Sequence, residues 1–354
     1  NNLFGVDIME EAVEICKLRL FLKLAAQVEP NTARDNLGIE PLPDIDFNVR
    51  AGNTLVGYAT YDEVKRAASS SLDFDSAMEK IAVKAADLQQ AFDAFRGRQI
   101  EGDGSVPAED KQELRKRLKA LDNELNRYLA SEYGVAPTKK DAYAKWLKSH
   151  QPFHWFVEFY GIVNGGGFDV VIGNPPYVEY SKVKATYVVQ PFYKTLPCGN
   201  LYTLVLERCF ALIRTGGWVS MIVPLSLLCT GRTDELRAMV KQLRVWISAY
   251  DMRPGSLFEG VAQRLSILVS QNITNEHGKI FLGGYRRWVV GERPVLIQNT
   301  VYIPLSVPKT PGPLPKLSVR TEVAVLSKIG ATPLEQYESE NAPQILAHRI
   351  GRYF

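Results

Sequence analysis

The residues most suited to chemistry are a tetrapeptide, Asn174-Pro175-Pro176-Tyr177, which directly follows an apolar, β-branched run at residues 168–173. This grouping suits the activation of a planar exocyclic amine, whose lone pair is delocalised into its ring. The side-chain oxygen of Asn174 and the backbone carbonyl of Pro175 can each accept one of the two N–H bonds of such an amine. The two prolines fix the backbone so that both acceptors point the same way, which frees the nitrogen lone pair for attack.

The fourth residue, Tyr177, adds an aromatic face on which a substrate base can stack, a contact worth about 1–3 kcal/mol in nucleic-acid complexes. The alternative interpretation is a plain turn, because Asn-Pro pairs commonly start turns. The position directly after a buried strand favours the functional interpretation, since ligands gather at the carboxyl ends of strands in doubly wound sheets.

The elements that would position this tetrapeptide are short apolar strands that alternate with helices. A strand at residues 3–7 ends on a carboxylate and precedes an amphipathic helix, and a second short strand closes near Asn53. Further strands are predicted over 168–173, 217–224, 246–250 and 264–270, with a helix over 201–213. This alternation predicts an α/β fold with a doubly wound, mostly parallel sheet.

Residues 62–149 interrupt the alternation with two stripes of apolar residues spaced alternately four and three. Such stripes predict an antiparallel hairpin of two helices, inserted between two strands of the sheet. The stripes consist of Phe74, Met78, Ile81, Ala85, Leu88, Phe92 and Phe95, and of Leu114, Leu118, Leu121, Leu125 and Tyr128. The basic residues around Lys111 and Arg115 are interpreted as a solvated face, with a nucleic-acid phosphate contact as the alternative.

The composition narrows the classes of protein without selecting one. The 354 residues include 42 Lys and Arg against 39 Asp and Glu, and the net charge of +3 excludes neither nucleic-acid nor small-molecule partners. A hydrophobic fraction of 46% and a charged fraction of 23% are typical of a globular protein. The sequence has no apolar run of membrane-spanning length, no secretion signal and no metal-binding cysteine spacing. We therefore expect a cytoplasmic protein with no membrane partner and no metal site.

On these residues the chain resembles the amino-group DNA methyltransferases, and within them the N6-adenine enzymes of large, fused restriction–modification polypeptides of type IIG. The resemblance runs from Asn1 to about Asn272, interrupted by the helical insertion. It implies a Rossmann-like methyltransferase sheet, S-adenosylmethionine as the cofactor and double-stranded DNA as the partner. The implied reaction is methyl transfer to the N6 amine of an adenine that has been flipped out of the duplex.

The resemblance also implies which residues bind the cofactor. The strand that ends at Asp7 and Ile8 resembles the one whose carboxylate holds the ribose hydroxyls. Asn53 resembles a position near the adenine amino group of the cofactor, where many relatives have Asp. Asn174 matches the first residue of the catalytic tetrapeptide, which also lies beside the cofactor. Taken alone, Asp7 could instead be a helix N-cap.

Further segments resemble the family in the same order along the chain. Phe258 resembles the aromatic residue that packs against the flipped base together with Tyr177, although taken alone it could be a core residue. Residues 200–202 resemble the segment that lines the adenine side of the cofactor, and residues 216–224 resemble a later strand of the sheet. Arg286, Arg287 and Trp288 are candidates for phosphate contacts, with an ordinary surface strand as the alternative.

We expect the chain to be part of a longer polypeptide, because it begins at Asn1, without Met, inside a predicted strand. The family's methionine-binding loop precedes the strand of Asp7, so the remainder of the parent polypeptide would supply that motif and a C-terminal recognition domain. The predicted division is a first core part (1–61), the helical hairpin (62–149), a second core part with the catalytic motif (150–275), and a truncated C-terminal extension of linker and incipient recognition region (276–354).

Two other functions stay open at this point. A DNA-binding or scaffold fragment could be inactive by itself, and protein glutamine N5-methyltransferases use the same tetrapeptide. Cytosine C5 methylation is disfavoured, because the pair Pro197-Cys198 lies outside the context of a sheet strand. No nuclease motif occurs among these residues, so any cleavage activity would lie elsewhere.

Overall fold

The computed structural model describes residues 2–33, 37, 45–68, 74–101, 108–273, 278–305 and 312–317. The strands are Gly5–Asp7 (β1), Val49–Ala51 (β2), Phe168–Gly173 (β3), Ile213–Pro224 (β4), Arg244–Tyr250 (β5), Leu265–Gln271 (β6), Lys279–Arg286 (β7) and Ile303–Leu305 (β8). The helices are Glu10–Ala25 (α1), Tyr61–Ala68 (α2), Phe74–Glu101 (α3), Ala108–Glu132 (α4), Lys140–His150 (α5), Trp155–Glu158 (α6), Tyr160–Asn164 (α7), Tyr180–Val183 (α8), Leu201–Leu212 (α9), Ser226–Cys229 (α10) and Asp234–Val240 (α11).

The chain divides into two compact units, each with its own sheet. The first unit comprises residues 1–165 and 186–190, and the second comprises residues 166–185 and 191–354. The predicted α/β class with strands alternating with helices is therefore confirmed. Within the described residues, no helix combines the length and apolar character needed to cross a membrane.

The small sheet of the first unit pairs β1 with β2 in parallel, with Asp7 opposite Ala51. The helix α1 connects β1 to the parallel strand β2, so the three elements form a βαβ unit. Six residues after β2 ends, the backbone at Gly57 passes very close to Phe153. A Cβ added at Gly57 would lie 2.2 Å from the Phe153 carbonyl oxygen, and the φ of +127° at Gly57 also requires glycine.

The helical hairpin predicted for residues 62–149 is present as α3 and α4. Ion pairs join Lys84 to Glu124 and Arg98 to Asp110, and this falling register shows that the two helices run antiparallel. The predicted stripes form the contact, although the second stripe continues through a fully buried Leu129, whereas Tyr128 is half-buried. The side chains of Phe74 and Met78 and the loop at 102–107 lie outside the described residues.

The basic residues on the outside of the hairpin contact acids of this same unit. Lys111 and Arg115 both pair with Asp46, which Lys17 also approaches at 3.5 Å. Burial raises the pKa of Asp46, but the hydrogen bond from Lys111 and the charges of Lys17 and Arg115 outweigh it and hold the pKa below its usual value. These contacts agree with the interpretation of a paired, solvated face.

The sheet of the second unit has six strands in the order β3-β4-β6-β5-β7-β8. Pairing is parallel between β3 and β4 and between β5 and β7, whereas β6 is antiparallel to both of its neighbours and β8 is antiparallel to β7. Four of the six strands therefore run in one direction, and they end at the same edge. We call this edge, at residues 173, 224, 250 and 286, the carboxyl edge of the large sheet.

One face of the large sheet forms the main core of the second unit. Strand β4 alternates along its length, so that Val219, Met221 and Val223 are buried with α9 and α11 against them. The side chain of Asn200 caps the start of α9 by accepting a hydrogen bond from the N–H of Tyr202. The opposite face carries a row of stacked rings formed by Trp218, Trp246 and Phe281.

The sheet continues past residue 275, which was the predicted end of the second core part. Strand β7 pairs with β5 over seven residues' length, and β8 adds the outer strand. Part of the predicted linker is therefore a strand, and its Pro304 lies in the edge strand β8, where a missing N–H donor is tolerated. Of the predicted linker and incipient recognition region over 276–354, residues 276–277, 306–311 and 318–354 lie outside the described residues.

Candidate active site at the carboxyl edges of the sheets

The tetrapeptide begins directly where β3 ends, at the carboxyl edge of the large sheet. Asn174 is exposed, Pro175 is buried, and Pro176 is exposed. The hydroxyl of Tyr177 lies 2.5 Å from Asn174 Oδ1 and 2.8 Å from the backbone oxygen of Ile222 on β4. The Tyr177 hydroxyl thus lies within hydrogen-bond distance both of the exposed Asn174 amide and of the neighbouring strand.

Tyr177 acts in this arrangement as a hydrogen-bond donor. Its ring is half-buried and packs against the core of the second unit, and this burial raises the pKa of its hydroxyl to about 12. The group therefore stays protonated at neutral pH and cannot serve as a base. A hydroxyl has one hydrogen, so it donates to Asn174 or to Ile222 at any moment. The stacking role predicted for the ring stays a prediction.

Asp7 ends β1 at the carboxyl edge of the small sheet, and its side chain is exposed. Its Oδ1 accepts a hydrogen bond of 2.8 Å from the N–H of Met9, the residue that precedes α1. The sequence left open that Asp7 is the N-cap of α1, but that position belongs to Met9, and the Asp7 contact lies before the helix. The next residue, Ile8, is 42% exposed beside it.

Asn53 lies two residues beyond the end of β2, at the same edge of the small sheet as Asp7. It is 2% exposed, and its Oδ1 accepts a hydrogen bond from the N–H of Leu55. Its Nδ2 is buried with no hydrogen-bond partner among the described residues. A buried amide nitrogen without a partner favours a polar ligand atom, because leaving such a donor unsatisfied costs about 1–3 kcal/mol.

Phe258 lies in the loop over residues 251–261, which follows β5 at the carboxyl edge of the large sheet. It is half-buried, and its backbone oxygen accepts a hydrogen bond of 2.6 Å from Ser256. Arg293 donates to the backbone oxygen of Ser256, and the N–H of Gly255 donates to that of Trp288. The loop that carries Phe258 is thus attached to the segment after β7.

Trp288, a sequence candidate for a phosphate contact, is 2% exposed and packs with Tyr250 and Leu296. It is therefore a core residue, and its proposed phosphate contact is wrong. Arg286 donates to the backbone oxygen of Leu296, whereas Arg287 is exposed. Of these three consecutive residues, Trp288 is a core residue, Arg286 bonds the backbone within the unit, and Arg287 lies on the surface.

The cluster around Asp251 was not found from the sequence. Asp251 follows β5 directly, and its carboxylate accepts hydrogen bonds from Met252 N–H, Arg264 Nε and Arg287 Nε at 2.8, 3.5 and 3.1 Å. Burial raises the pKa of Asp251, but its hydrogen bonds, led by that with Tyr285, outweigh it and hold the pKa below its usual value. The signal in the sequence was a charged residue directly after β5, directly before β6 and directly after β7.

The segments at residues 200–202 and 197–198 pack within the second unit, and the cofactor-lining role of residues 200–202 stays a prediction. Asn200 caps α9, and Leu201 and Tyr202 are buried. Burial raises the pKa of the Cys198 thiol, which opposes formation of the thiolate that C5 methylation needs. Among the described residues, no three His, Cys, Asp or Glu side chains are grouped so that they could hold a metal ion.

The structure thus joins the predicted residues into two groups. Asp7, Ile8 and Asn53 share the carboxyl edge of the small sheet, and Asn174, Tyr177 and Phe258 share that of the large sheet. The α/β fold with this tetrapeptide at a strand end defines a protein of the methyltransferase class. The chain belongs to the Eco57I restriction-modification methylase family, whose model matches residues 1–254.

Relatives of known name agree with this family. A type II restriction enzyme and methyltransferase of Methanocaldococcus jannaschii is 27% identical over 276 residues, which are 67% of this chain and 23% of that protein. This chain therefore spans less than a quarter of the length of that relative.

Two solved structures are similar to parts of the chain. A type I restriction-modification methyltransferase subunit from Streptococcus thermophilus is 12% identical, with 58% of this chain and 39% of that chain covered and a TM-score of 0.27. A class I S-adenosylmethionine-dependent methyltransferase from Listeria monocytogenes is 16% identical, with 60% of each chain covered and a TM-score of 0.25.

Proposed function

We propose that the chain is the methyl-transferring part of a restriction–modification protein and acts on the N6 amine of adenine in duplex DNA. The observation that carries this proposal is the exposed amide of Asn174, fixed at the end of β3 by the hydroxyl of Tyr177. Membership of a restriction-modification methylase family supports DNA over a protein glutamine as the substrate.

Asn174 and Pro175 orient the amine and localise its lone pair. Asn174 Oδ1 accepts one N–H bond of the amine and the backbone oxygen of Pro175 accepts the other, which favours a tetrahedral nitrogen. Positioning is the main effect, and well-oriented reactants can account for about 7–11 kcal/mol of a barrier. No strong base is needed, since the nitrogen becomes acidic once it gains the methyl group. Tyr177, with its raised pKa, stays a donor throughout.

S-adenosylmethionine is the proposed cofactor, and it supplies an electrophilic methyl group when bound. The residues at the edge of the small sheet fit it. The exposed carboxylate of Asp7, whose Oδ2 has no hydrogen bond among the described residues, can accept hydrogen bonds from ribose hydroxyls. The buried Nδ2 of Asn53 lacks a partner among the described residues and can donate to a ring nitrogen of a nucleobase. Ile8 provides exposed apolar surface beside them.

The target adenine must leave the duplex, which costs a few kcal/mol of lost stacking and pairing. Phe258 and the exposed part of the Tyr177 ring are the proposed contacts for the flipped base. Stacking on such rings is worth about 1–3 kcal/mol per base, which offsets part of that cost.

The test is transfer of a radioactive methyl group from S-adenosylmethionine by the full-length protein, with unmethylated bacterial genomic DNA and a glutamine-containing peptide as separate acceptors. We expect label in DNA, recovered as N6-methyladenine after nucleoside digestion, and none in the peptide. Asn174→Ala should abolish transfer while DNA binding persists. Asn272→Ala is the matched control, since it removes the same amide at the opposite edge of the same sheet. Full activity in Asn174→Ala would refute the assignment.

A further inference from the structure

Three charged residues from three strands meet at the carboxyl edge of the large sheet and have no part in the proposed chemistry. Asp251 follows β5, Arg264 precedes β6, and Arg287 follows β7. The Asp251 side chain is only 7% exposed, whereas those of Arg264 and Arg287 are 55% and 78% exposed. A nearly buried carboxylate thus holds the inner ends of two surface arginines.

Arg264 also bonds Tyr285, and both guanidiniums stay exposed to solvent beyond these contacts. Arg264 and Arg287 both use Nε to contact Asp251, at 3.5 and 3.1 Å. A guanidinium has five N–H donors in a planar fork that matches phosphate oxygens. Anchoring Nε fixes the plane of that fork in advance, so less side-chain entropy is lost when an anion binds.

The surrounding segments carry a surplus of positive charge. Residues 251–264 and 286–293 contain five arginines against three acids, a net charge of +2 within 22 residues. The arginines are Arg253, Arg264, Arg286, Arg287 and Arg293, and the acids are Asp251, Glu259 and Glu292. The whole chain of 354 residues has a net charge of only +3, so this edge is locally enriched.

Asp251, Arg264 and Arg287 lie along the same edge as Asn174. The order of the strands sets the distance of each arginine from the end of β3. Adjacent strands are about 4.8 Å apart, so Arg264 on β6 is about 10 Å from the β3 end and Arg287 on β7 about 19 Å. Along B-DNA these distances correspond to about three to six base pairs, at about 3.4 Å per base pair.

We propose that Arg264 and Arg287, anchored by Asp251, contact the DNA phosphate backbone beside the flipped base. This inference rests on the proposed function, since it takes duplex DNA as the partner. The two arginines set the register of the duplex across the edge and read no sequence, because phosphate contacts are the same for every base pair. Asp251 is a positioning residue, which acts on DNA only through the arginines.

The experiment measures the salt dependence of DNA binding. The full-length protein is titrated with a 30-base-pair duplex of random sequence between 50 and 200 mM salt. Each phosphate contact contributes about 0.9 to the slope of log K against log salt, so Arg264→Gln with Arg287→Gln should lower the slope by about 1.8. Over that fourfold range of salt, the affinity ratio between wild type and variant should shrink about 12-fold.

Arg214→Gln is the matched control. Arg214 also contacts an aspartate through Nε, at 2.6 Å from Asp169, but this pair lies where β3 and β4 begin, at the opposite edge. We expect the control to keep the wild-type slope. The paired substitution of Arg264 and Arg287 by Lys keeps both charges and should keep the slope as well. Should the double Gln variant fail to fold, Arg287→Gln alone should lower the slope by about 0.9.

An unchanged slope in the Gln variants, or an equal drop in Arg214→Gln, would overturn the inference. Methyl transfer to genomic DNA by the wild type, measured alongside, separates this failure from failure of the proposed function. Transfer with an unchanged slope overturns the phosphate contacts alone. Absence of both transfer and DNA binding in the wild type overturns the proposed function, and the phosphate contacts with it.

Discussion

At each of the two carboxyl edges, one aspartate and one asparagine can be compared, and the exposed and buried members are exchanged between the edges. At the edge of the small sheet, Asp7 is exposed and Asn53 is buried. At the edge of the large sheet, Asn174 is exposed and Asp251 is buried. Each exposed residue has a single side-chain contact close in sequence, whereas Asp251 holds donors from three segments.

The difference teaches that exposure and contacts, and not residue type, separate groups available to a ligand from groups that hold the fold. An aspartate after a parallel strand suggests a ligand site at either edge, since ligands gather there. Among the described residues the Asp7 side chain has one hydrogen bond, to Met9, whereas that of Asp251 accepts bonds from Met252, Arg264 and Arg287. We therefore expect Asp7 to matter for ligand binding. We expect Asp251 to matter for stability and for the orientation of Arg264 and Arg287.

The largest expected effect is on cofactor binding by Asp7→Ala. Charge-assisted hydrogen bonds to two ribose hydroxyls are worth about 1.5 kcal/mol each, so affinity for S-adenosylmethionine should fall about 100-fold. Isothermal titration of the full-length protein measures it. Glu11→Ala removes an exposed carboxylate from the first turn of α1 and should leave the affinity unchanged. Unchanged affinity in Asp7→Ala, together with a lower melting temperature, would reduce Asp7 to a helix-start residue.

The next effect is on stability, from Asp251→Ala. The substitution removes a nearly buried acceptor, so Tyr285, Arg264 and Arg287 each lose a hydrogen bond. The free energy of unfolding should therefore fall by about 2 kcal/mol. Urea denaturation at pH 7 measures the change. Asp169→Ala breaks a similar Asp–Arg pair whose carboxylate is 78% exposed, and it should cost much less.

The effect of Asp251→Ala on the free energy of unfolding should depend on pH. Because the pKa of Asp251 is held below its ordinary value of 3.8 in the folded protein, its contribution is fully present above that value. It is lost as the pH falls through the lowered pKa. The stability gap between wild type and Asp251→Ala should therefore be constant near neutrality and close in strong acid. A gap that closes above pH 5 would contradict this account.

Local patterns were enough for the elements that carry the tetrapeptide and for the hairpin. Strand β3 has the predicted bounds, because the glycines before it and Pro175 after it interrupt regular structure on both sides. The spacing of Leu114 to Leu125 predicted α4, since a helical period is a property of neighbouring residues. Both features are decided within a few residues along the chain.

Long-range pairing could not be predicted in the same way. The insertion of antiparallel β6 between β4 and β5, and the extension of the sheet by β7, depend on contacts between segments far apart in sequence. The Asp251 cluster joins residues 13 and 36 positions apart. The bond from Tyr177 to Ile222 spans 45 positions, so the sequence suggested a stacking ring and missed the role of its hydroxyl.

The smallest expected effect, from Tyr177→Phe, separates these two roles of Tyr177. Loss of the hydroxyl removes the hydrogen-bond donor to Asn174 Oδ1 but keeps the ring. We therefore expect kcat to fall about 10-fold while KM for DNA stays nearly constant, because slight misplacement of a reacting group slows the chemical step. Tyr250→Phe removes a hydroxyl that bonds Ser248 at the end of β5, and it should leave kcat unchanged. Tyr177→Leu removes ring and hydroxyl together, so any further rise in KM measures stacking. If Tyr177→Phe raised KM and spared kcat, the hydroxyl would serve DNA binding and the exposed amide of Asn174 would need no tether.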